Sequence, residues 1–492
     1  MTPETISVET KTPMAMFIHP SNIINGVSYS AADGKRFEVE NPADRSIIAS
    51  VPDAGIPDAV EALNAAVEAQ PSWSASTPNE RNAILMRAHE LVLAELETIA
   101  EIITCEMGKP LTDARGEVRY AAEFLSWFAG EALRIGGDHL MSGDGKNRFI
   151  VSQEPVGPCV LVTPWNFPLA MGARKIGPAL AAGCTVLFKP AEQTPLTALY
   201  FVELLHRAGL PAGVVNVVTT QRPADIVGLW LKSGLVRKIS FTGSTAVGKL
   251  LLEQAAKTVM RTSMELGGNA PFIVFEDADI DAAVDGAIVA KMRNMGEACT
   301  AINRMYVHES VASTFISRFA EKMSSLKMLP GLEPGSEVGP LIDQQGFNKV
   351  AHLVRDAISK GARVVTGGVP EGDTLFFPPT VLVDMPASAE LYNTEIFGPV
   401  APIVTFTGEA NVIELANDTK TGLVGYIYTK EITRAFRVAS AMEVGMVGIN
   451  TGLVSNPRAP FGGVKDSGLG REGGTVGIEE FLEYKYIALP NT

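Results

Sequence analysis

The chain has 492 residues, of which 46 % are hydrophobic and 20 % charged, and its formal net charge is −14. That length exceeds one ordinary domain and calls for two or three, with enough apolar residues for a large core. An acidic balance argues against nucleic acid or an anionic membrane as a main partner, although it has no bearing on a local basic pocket for a small anion.

The four cysteines, Cys105, Cys159, Cys184 and Cys299, contain no CxxC pair, which excludes a disulfide framework or structural zinc site and suits a reducing cytosol. The six histidines are scattered, with no HExxH cluster, so no metal site is expected. The first residues, MTPETISVETK, carry acids and no apolar stretch, so no signal peptide is expected. No apolar run is long enough for a transmembrane helix, and a cytoplasmic location is expected. No internal repeat or low-complexity segment is present.

Residues 1–20 read as a loosely held arm. From 55 to 110 the pattern is helical, with Leu85, Ala88, Val92, Leu96, Ile99 and Ile103 spaced by threes and fours on one helix face. Gly108-Lys109-Pro110 supplies a stop. Residues 147–152 read as a strand that interrupts the pattern. From 159 to 276 short apolar strands at 159–163, 185–188, 214–218 and 236–241 alternate with helical stretches, among them 195–208 and 245–257. This rhythm predicts a parallel, doubly wound sheet whose ligands bind at the carboxyl ends of its strands. A second α/β block follows from about 267 to 445. A final strand at 481–489 has no local partner, and with 139–158 it is expected to form a small sheet that pairs with another subunit.

Several motifs fall at strand ends. Thr163-Pro164-Trp165-Asn166-Phe167-Pro168 closes a strand and opens a helix; the Asn166 amide suits an oxyanion, or the stretch is a plain loop with a buried Trp. Lys189 and Glu192, after the second strand, suit ribose hydroxyls or form a solvated charge pair. Gly243 and Ser244 precede a helix whose N-terminus suits a pyrophosphate, or Ser244 is an ordinary helix cap. Glu265, followed by Leu266-Gly267-Gly268, suits a general base or a surface loop. Cys299 lies in a glycine-containing segment after a helix, unlike Cys184, which opens a strand as a small core residue. No histidine sits in any of these motifs, so a Cys-His hydrolase has no support. Glu395 and Phe397 offer a second acid and a ring, or a turn with a core Phe.

Taken together and in order, TPWNFP, KPAEQTP, FTGSTAVG, MELGGN, the Cys299 segment, EIFGP and PFGGVKDSGLGREGG resemble the aldehyde dehydrogenase superfamily from about residue 20 to 490. The resemblance implies an α/β fold with a dinucleotide-binding domain (20–138 and 159–266), a catalytic domain (267–477) and an oligomerisation sheet (139–158 and 478–492). It implies Cys299 as nucleophile, Glu265 as general base, and Asn166 with the Cys299 backbone N–H as oxyanion hole. Trp165, Asn166, Lys189, Glu192, Gly243, Ser244, Leu266, Glu395 and Phe397 would line the site for NAD or NADP. A homodimer or homotetramer is implied as well. A Glu at 265 favours release of the acyl group by water, since CoA-dependent relatives typically lack it.

Within the superfamily the sequence looks most like the succinate-semialdehyde dehydrogenases. Positions that bind the distal carboxylate there match Arg174, Arg293 and Ser455, and an arginine fork suits a carboxylate. The alternatives are structural ion pairs for the two arginines, a different aldehyde such as glutarate semialdehyde, or a non-catalytic nucleotide-binding protein of the same fold. Two departures stand out. The usual Gln-Thr before the nucleophile is Glu297-Ala298, and a second cysteine two residues after it is Ala301, which excludes a disulfide switch at that spacing. Glu192 would accept from a free ribose 2′-hydroxyl and so favours NAD, with NADP open.

Overall fold

The computed structural model describes residues 20–491, so the arm expected at 1–20 lies outside the described residues except for Pro20. An eight-stranded sheet runs in the spatial order Val27–Tyr29, Asn22–Ile24, Val215–Val217, Val186–Lys189, Cys159–Val162, Lys238–Thr242, Arg261–Glu265, Gly468–Leu469. Its five middle strands are parallel. Helices cover both faces of such strands, which is why they read as nearly unbroken apolar runs. The expected strands are present within one or two residues, as are the helices Pro195–Arg207 and Thr245–Ala256. The winding reverses between Cys159–Val162 and Lys238–Thr242, which pair directly, and this switch point is where a doubly wound sheet opens a crevice for ligands.

One expectation needs correction. Residues 55–110 form three helices, Ile56–Ser74, Pro78–Ala94 and Leu96–Met107, and the stripe from Leu85 to Ile103 spans two of them. The chain leaves helical geometry at Glu95 (φ −97°, ψ 19°), whose N–H returns to the Leu91 carbonyl, and Leu96 opens the next helix. Both helices pack on Leu111–Ala132, so all six apolar residues still meet in one core. Periodicity reports a shared face and does not register a sharp turn that preserves it. The stop at Gly108 is present: its φ is +92°, a conformation glycine adopts without cost.

A seven-stranded sheet follows, in the order Arg363–Thr366, Thr380–Val383, Val400–Phe406, Ile302–His308, Ala270–Val274, Val424–Tyr428, Met446–Ile449. All its pairings are parallel except the outermost, at Arg363–Thr366. The third sheet is antiparallel, with Asn147–Pro155 between Gly137–Met141 and Leu482–Pro490. The terminal strand thus finds its partner within the chain, more than 300 residues away in sequence (Leu482 opposite Pro155). At Gly137 a Cβ would lie 2.1 Å from the Val151 carbonyl oxygen, so only glycine permits this pairing. No helix among the described residues is long and apolar enough to cross a membrane.

Candidate active site

A cleft of about 340 Å³ lies between the two large sheets. One wall comes from turns that leave the first sheet: Pro164–Asn166, Thr242–Ser244 and Glu265–Gly267. The facing wall comes from the second block, with Glu297, Cys299, Ile342, Asp343, Lys349, Glu395 and Phe397. Trp165 meets the Phe397 ring edge-on, with centroids 5.4 Å apart.

The Cys299 segment is held in an unusual turn. The helix Ile280–Met292 runs into three left-handed residues, Asn294 (φ 52°), Met295 (φ 57°) and Gly296 (φ 80°). Asn and Gly tolerate that region, and Met295 is held there by its surroundings. The Asn294 amide donates to the Glu297 carbonyl at 2.9 Å and to the Asn166 carbonyl at 3.0 Å. A Cβ on Gly268 would come within 2.6 Å of the Cys299 carbonyl oxygen, so the MELGGN turn packs directly on the cysteine's backbone. Cys299 is the partly exposed cysteine of the four; the others are buried. Burial pushes its thiol up to about 12, with Arg174 acting in the opposite direction.

Glu265 ends the strand Arg261–Glu265 and is buried, which overturns its reading as a surface loop residue. Burial, and then the neighbouring Glu472, hold its carboxyl well above the usual range, while Arg174, Lys175 and Arg471 favour its anion. Asn166 is buried; its amide donates to the Glu297 carbonyl at 3.0 Å, leaving its second N–H outside that bond.

Arg174, Arg293 and Ser455 converge on a small pocket that also contains Tyr120, Phe167 and Phe461 and shares Met171 and Cys299 with the large cleft. Arg293 donates to the Ser455 hydroxyl at 2.8 Å and lies over the rings of Phe167 and Tyr120. Arg174 lies over Phe461, 4.2 Å from the ring centroid, and forms a buried ion pair with Glu472. The structural role weighed for Arg174 is therefore real, and it coexists with the position in the pocket. Lys175 shares Glu472. Removing the guanidinium would leave a buried carboxylate with Lys175 alone. Arg174→Ala is accordingly expected to lose on the order of 3 kcal/mol of stability, measured by denaturant unfolding.

Lys189 and Glu192 are paired with each other at 2.9 Å and do not line the cleft, though Gln193 beside them does. Burial works to raise Glu192, and Lys189 outweighs it, so the carboxyl is held below its usual value. Ser244 caps the helix Thr245–Ala256 by accepting from the Val247 N–H at 3.3 Å, and Gly243 and Ser244 both line the cleft. Glu395 accepts from the Gly268 N–H at 3.0 Å, and burial raises its carboxyl against the pull of Lys349 and Lys291. Leu266 lines the cleft beside it.

Residues not singled out by sequence support the site. Lys109 is fully buried and donates to Glu117 at 2.6 Å and to the Asn166 carbonyl at 2.8 Å. Glu117 in turn accepts from the N–H groups of Leu169 and Ala170, at the start of the helix Pro168–Ala182 that carries Arg174. Lys109 was legible only as part of a helix stop, and Glu472 only as a polar residue in a glycine-rich stretch.

The chain belongs to the aldehyde dehydrogenase family, whose model matches residues 29–487. It is 54 % identical over 90 % of its length to a succinate-semialdehyde dehydrogenase of Paenarthrobacter nicotinovorans, covering 99 % of that protein. It is 50 % identical over 95 % of its length to a glutarate-semialdehyde dehydrogenase of Pseudomonas putida, covering 97 % of that protein. Among solved structures, an NADP-dependent enzyme of E. coli superposes with a TM-score of 0.95 at 48 % identity, covering 97 % of this chain and 99 % of that one.

Proposed function

We propose that this protein oxidises succinate semialdehyde to succinate with NAD or NADP, through a thioester on Cys299. The observation that carries the reading is the convergence of two arginines and a serine on a pocket that opens onto Cys299. A short aldehyde with a carboxylate at its far end matches that pocket, with the carboxylate on Arg174, Arg293 and Ser455 and the carbonyl at the sulfur. Similarity to the Paenarthrobacter enzyme supports the same substrate. Glutarate semialdehyde, one methylene longer, is the second reading, supported by the Pseudomonas relative. One methylene in a pocket is worth only about 1–3 kcal/mol.

The cleft fits a dinucleotide. The helix N-terminus after Ser244 presents backbone N–H groups, Glu395 lies against Gly267 where a Cβ would meet it at 2.9 Å, and Trp165 and Phe397 offer aromatic walls. We assign Trp165, Asn166, Gly243, Ser244, Leu266, Glu395 and Phe397 to holding it, and Lys189 and Glu192, which lie beside the cleft residue Gln193 and not in the wall, to a ribose at its edge. Glu192 favours a free 2′-hydroxyl, while the similarity to the E. coli NADP-dependent enzyme argues for NADP.

Cys299, partly exposed to the cleft, attacks the aldehyde carbon once its thiol has given its proton to water. Burial keeps the thiolate a minor species at neutral pH, and the charges of Arg174 and, less strongly, Arg293 favour it. The alkoxide that forms receives hydrogen bonds from the second N–H of the Asn166 amide and the Cys299 backbone N–H. A nicotinamide held by Gly243, Ser244, Leu266, Glu395 and Phe397 would supply the hydride acceptor for this carbon, so that Cys299 is left carrying a thioester. Glu265 takes a proton from water, the hydroxyl adds to the thioester, and the Cys299 sulfur departs. A raised proton affinity makes Glu265 a stronger base when ionised, and Arg174, Lys175 and Arg471 favour that ionised form without outweighing burial. Glu265→Gln is therefore expected to give one burst of reduced nicotinamide per active site and then stall, read by rapid mixing.

We further assign the first and second large sheets to the cofactor-binding and catalytic domains. The third sheet, with Leu140, Met141, Tyr484, Tyr486 and Leu489 exposed, is assigned to subunit contact in a cytoplasmic homodimer or homotetramer. The direct test is a steady-state panel of aldehydes with each cofactor. The reading predicts the highest kcat/KM for succinate semialdehyde, and a clear preference for an uncharged aldehyde would overturn it.

A further inference from the structure

Glu297 lies two residues before Cys299 and is 1 % exposed. One carboxyl oxygen accepts from the Ile342 N–H at 3.2 Å, and the other is buried with no hydrogen-bond partner. Its main-chain carbonyl accepts from the amides of both Asn166 and Asn294. A second link runs nearby, from the Gly339 N–H to the Met295 sulfur at 2.9 Å. The Glu297 side chain therefore joins the Cys299 segment to a neighbouring run of the same cleft wall, where Ile342, Asp343 and Gly346 precede or open the helix Gln344–Ser359.

We propose that Glu297 is a positioning residue that clamps the Cys299 segment to the Ile342–Gly346 wall while its carboxyl carries a proton, and that loss of this proton releases the clamp. The inference rests on the reading of Cys299 as the nucleophile. The physical reason is the unpartnered oxygen. As a neutral acid the group is tolerated in its cavity, but as an anion it would hold an unsolvated charge with no donor on one side. The charged groups that bear on it are few. Asp343, from the neighbouring run, repels an anion; Lys109 attracts it, but Lys109 is already paired with Glu117. On its own segment, Arg293 is engaged with Ser455. Burial, with Asp343 adding to it, holds the Glu297 carboxyl well above the ordinary range, and outweighs the Ile342 N–H bond and Lys109, which favour the anion.

Ionisation would draw the Glu297 side chain toward water and pull on the two amides bound to its carbonyl. Asn166 and the Cys299 backbone, which together receive the alkoxide, would then separate. Because the folded carboxyl is raised, the clamp is intact below its folded value and is lost as pH rises through that value. Turnover should therefore fall on the alkaline side as Glu297 ionises.

The test is the pH profile of kcat for succinate semialdehyde, from mildly acid to strongly alkaline, in wild type and Glu297→Gln. Glutamine keeps an acceptor for the Ile342 N–H and has no proton to lose, so the alkaline fall should vanish relative to that variant's own maximum. Glu297→Leu removes the acceptor and should lower kcat about tenfold, with cofactor affinity, read by fluorescence titration, unchanged. Equal alkaline limbs in wild type and Glu297→Gln, or no fall in wild type, would overturn the clamp. Cys299→Ser run alongside separates the two claims: activity in that variant sinks the reading of the site, whereas inactivity with matching alkaline limbs sinks the clamp alone.

Discussion

Cys299→Ser is expected to lower turnover at least about a thousandfold while leaving cofactor affinity intact. A serine hydroxyl ionises far less readily than a thiol and is a poorer leaving group from the acyl-enzyme, so attack and deacylation both suffer. The variant should fold. The segment is held by Asn294, by the packing of Gly268 on the Cys299 carbonyl and by the Glu297 bond to Ile342, none of which uses the sulfur. Initial rates of nicotinamide reduction, with fluorescence titration of the cofactor, check both halves. Near-full activity would mean that another group attacks the carbonyl.

The second large effect concerns the substrate's far end. Arg293→Ala should lower kcat/KM for succinate semialdehyde about 10- to 100-fold and leave propanal within about threefold, because a charge-assisted hydrogen bond contributes roughly 1.5–3 kcal/mol. Arg293 is the cleaner probe of the two arginines. Its partner in the chain is a neutral hydroxyl, whereas Arg174 also neutralises the buried Glu472, so its removal mixes recognition with stability. Equal losses for the charged and uncharged aldehydes would assign Arg293 to shaping the nucleophile turn.

The strands were legible because parallel strands buried on both faces appear as apolar runs, and the motifs that line the cleft because they follow strand ends, where a doubly wound sheet opens. Cys299 stood out by context, in a glycine-containing turn after a helix, while Cys159 and Cys184 begin or precede strands and are buried. The turn at Glu95 was missed because its two flanking helices bury the same stripe in one core. Glu472 was missed for another reason. It is 297 residues from Lys175, and only the fold brings its carboxylate beside Arg174, Lys175 and Glu265. Lys109 and Glu117 were missed likewise: nothing local distinguishes a buried, paired lysine from a solvated one.

The same burial sets how the site handles protons. Cys299, Glu265 and Glu297 are all held toward their neutral forms, so the resting site carries less charge than its composition suggests. The positive charge of Arg174 then acts on a short list of neighbours: the Glu472 carboxylate, the Tyr120 hydroxyl, the Glu265 carboxyl and the Cys299 thiol.

The most direct test of the account is to trap its covalent intermediate. Glu265→Gln mixed with succinate semialdehyde and NADP, quenched after the burst and digested, should yield a succinyl group on the peptide containing Cys299, in amount equal to the reduced nicotinamide formed. Stoichiometric nicotinamide reduction with Cys299 unmodified, or the acyl group on another residue, would contradict it.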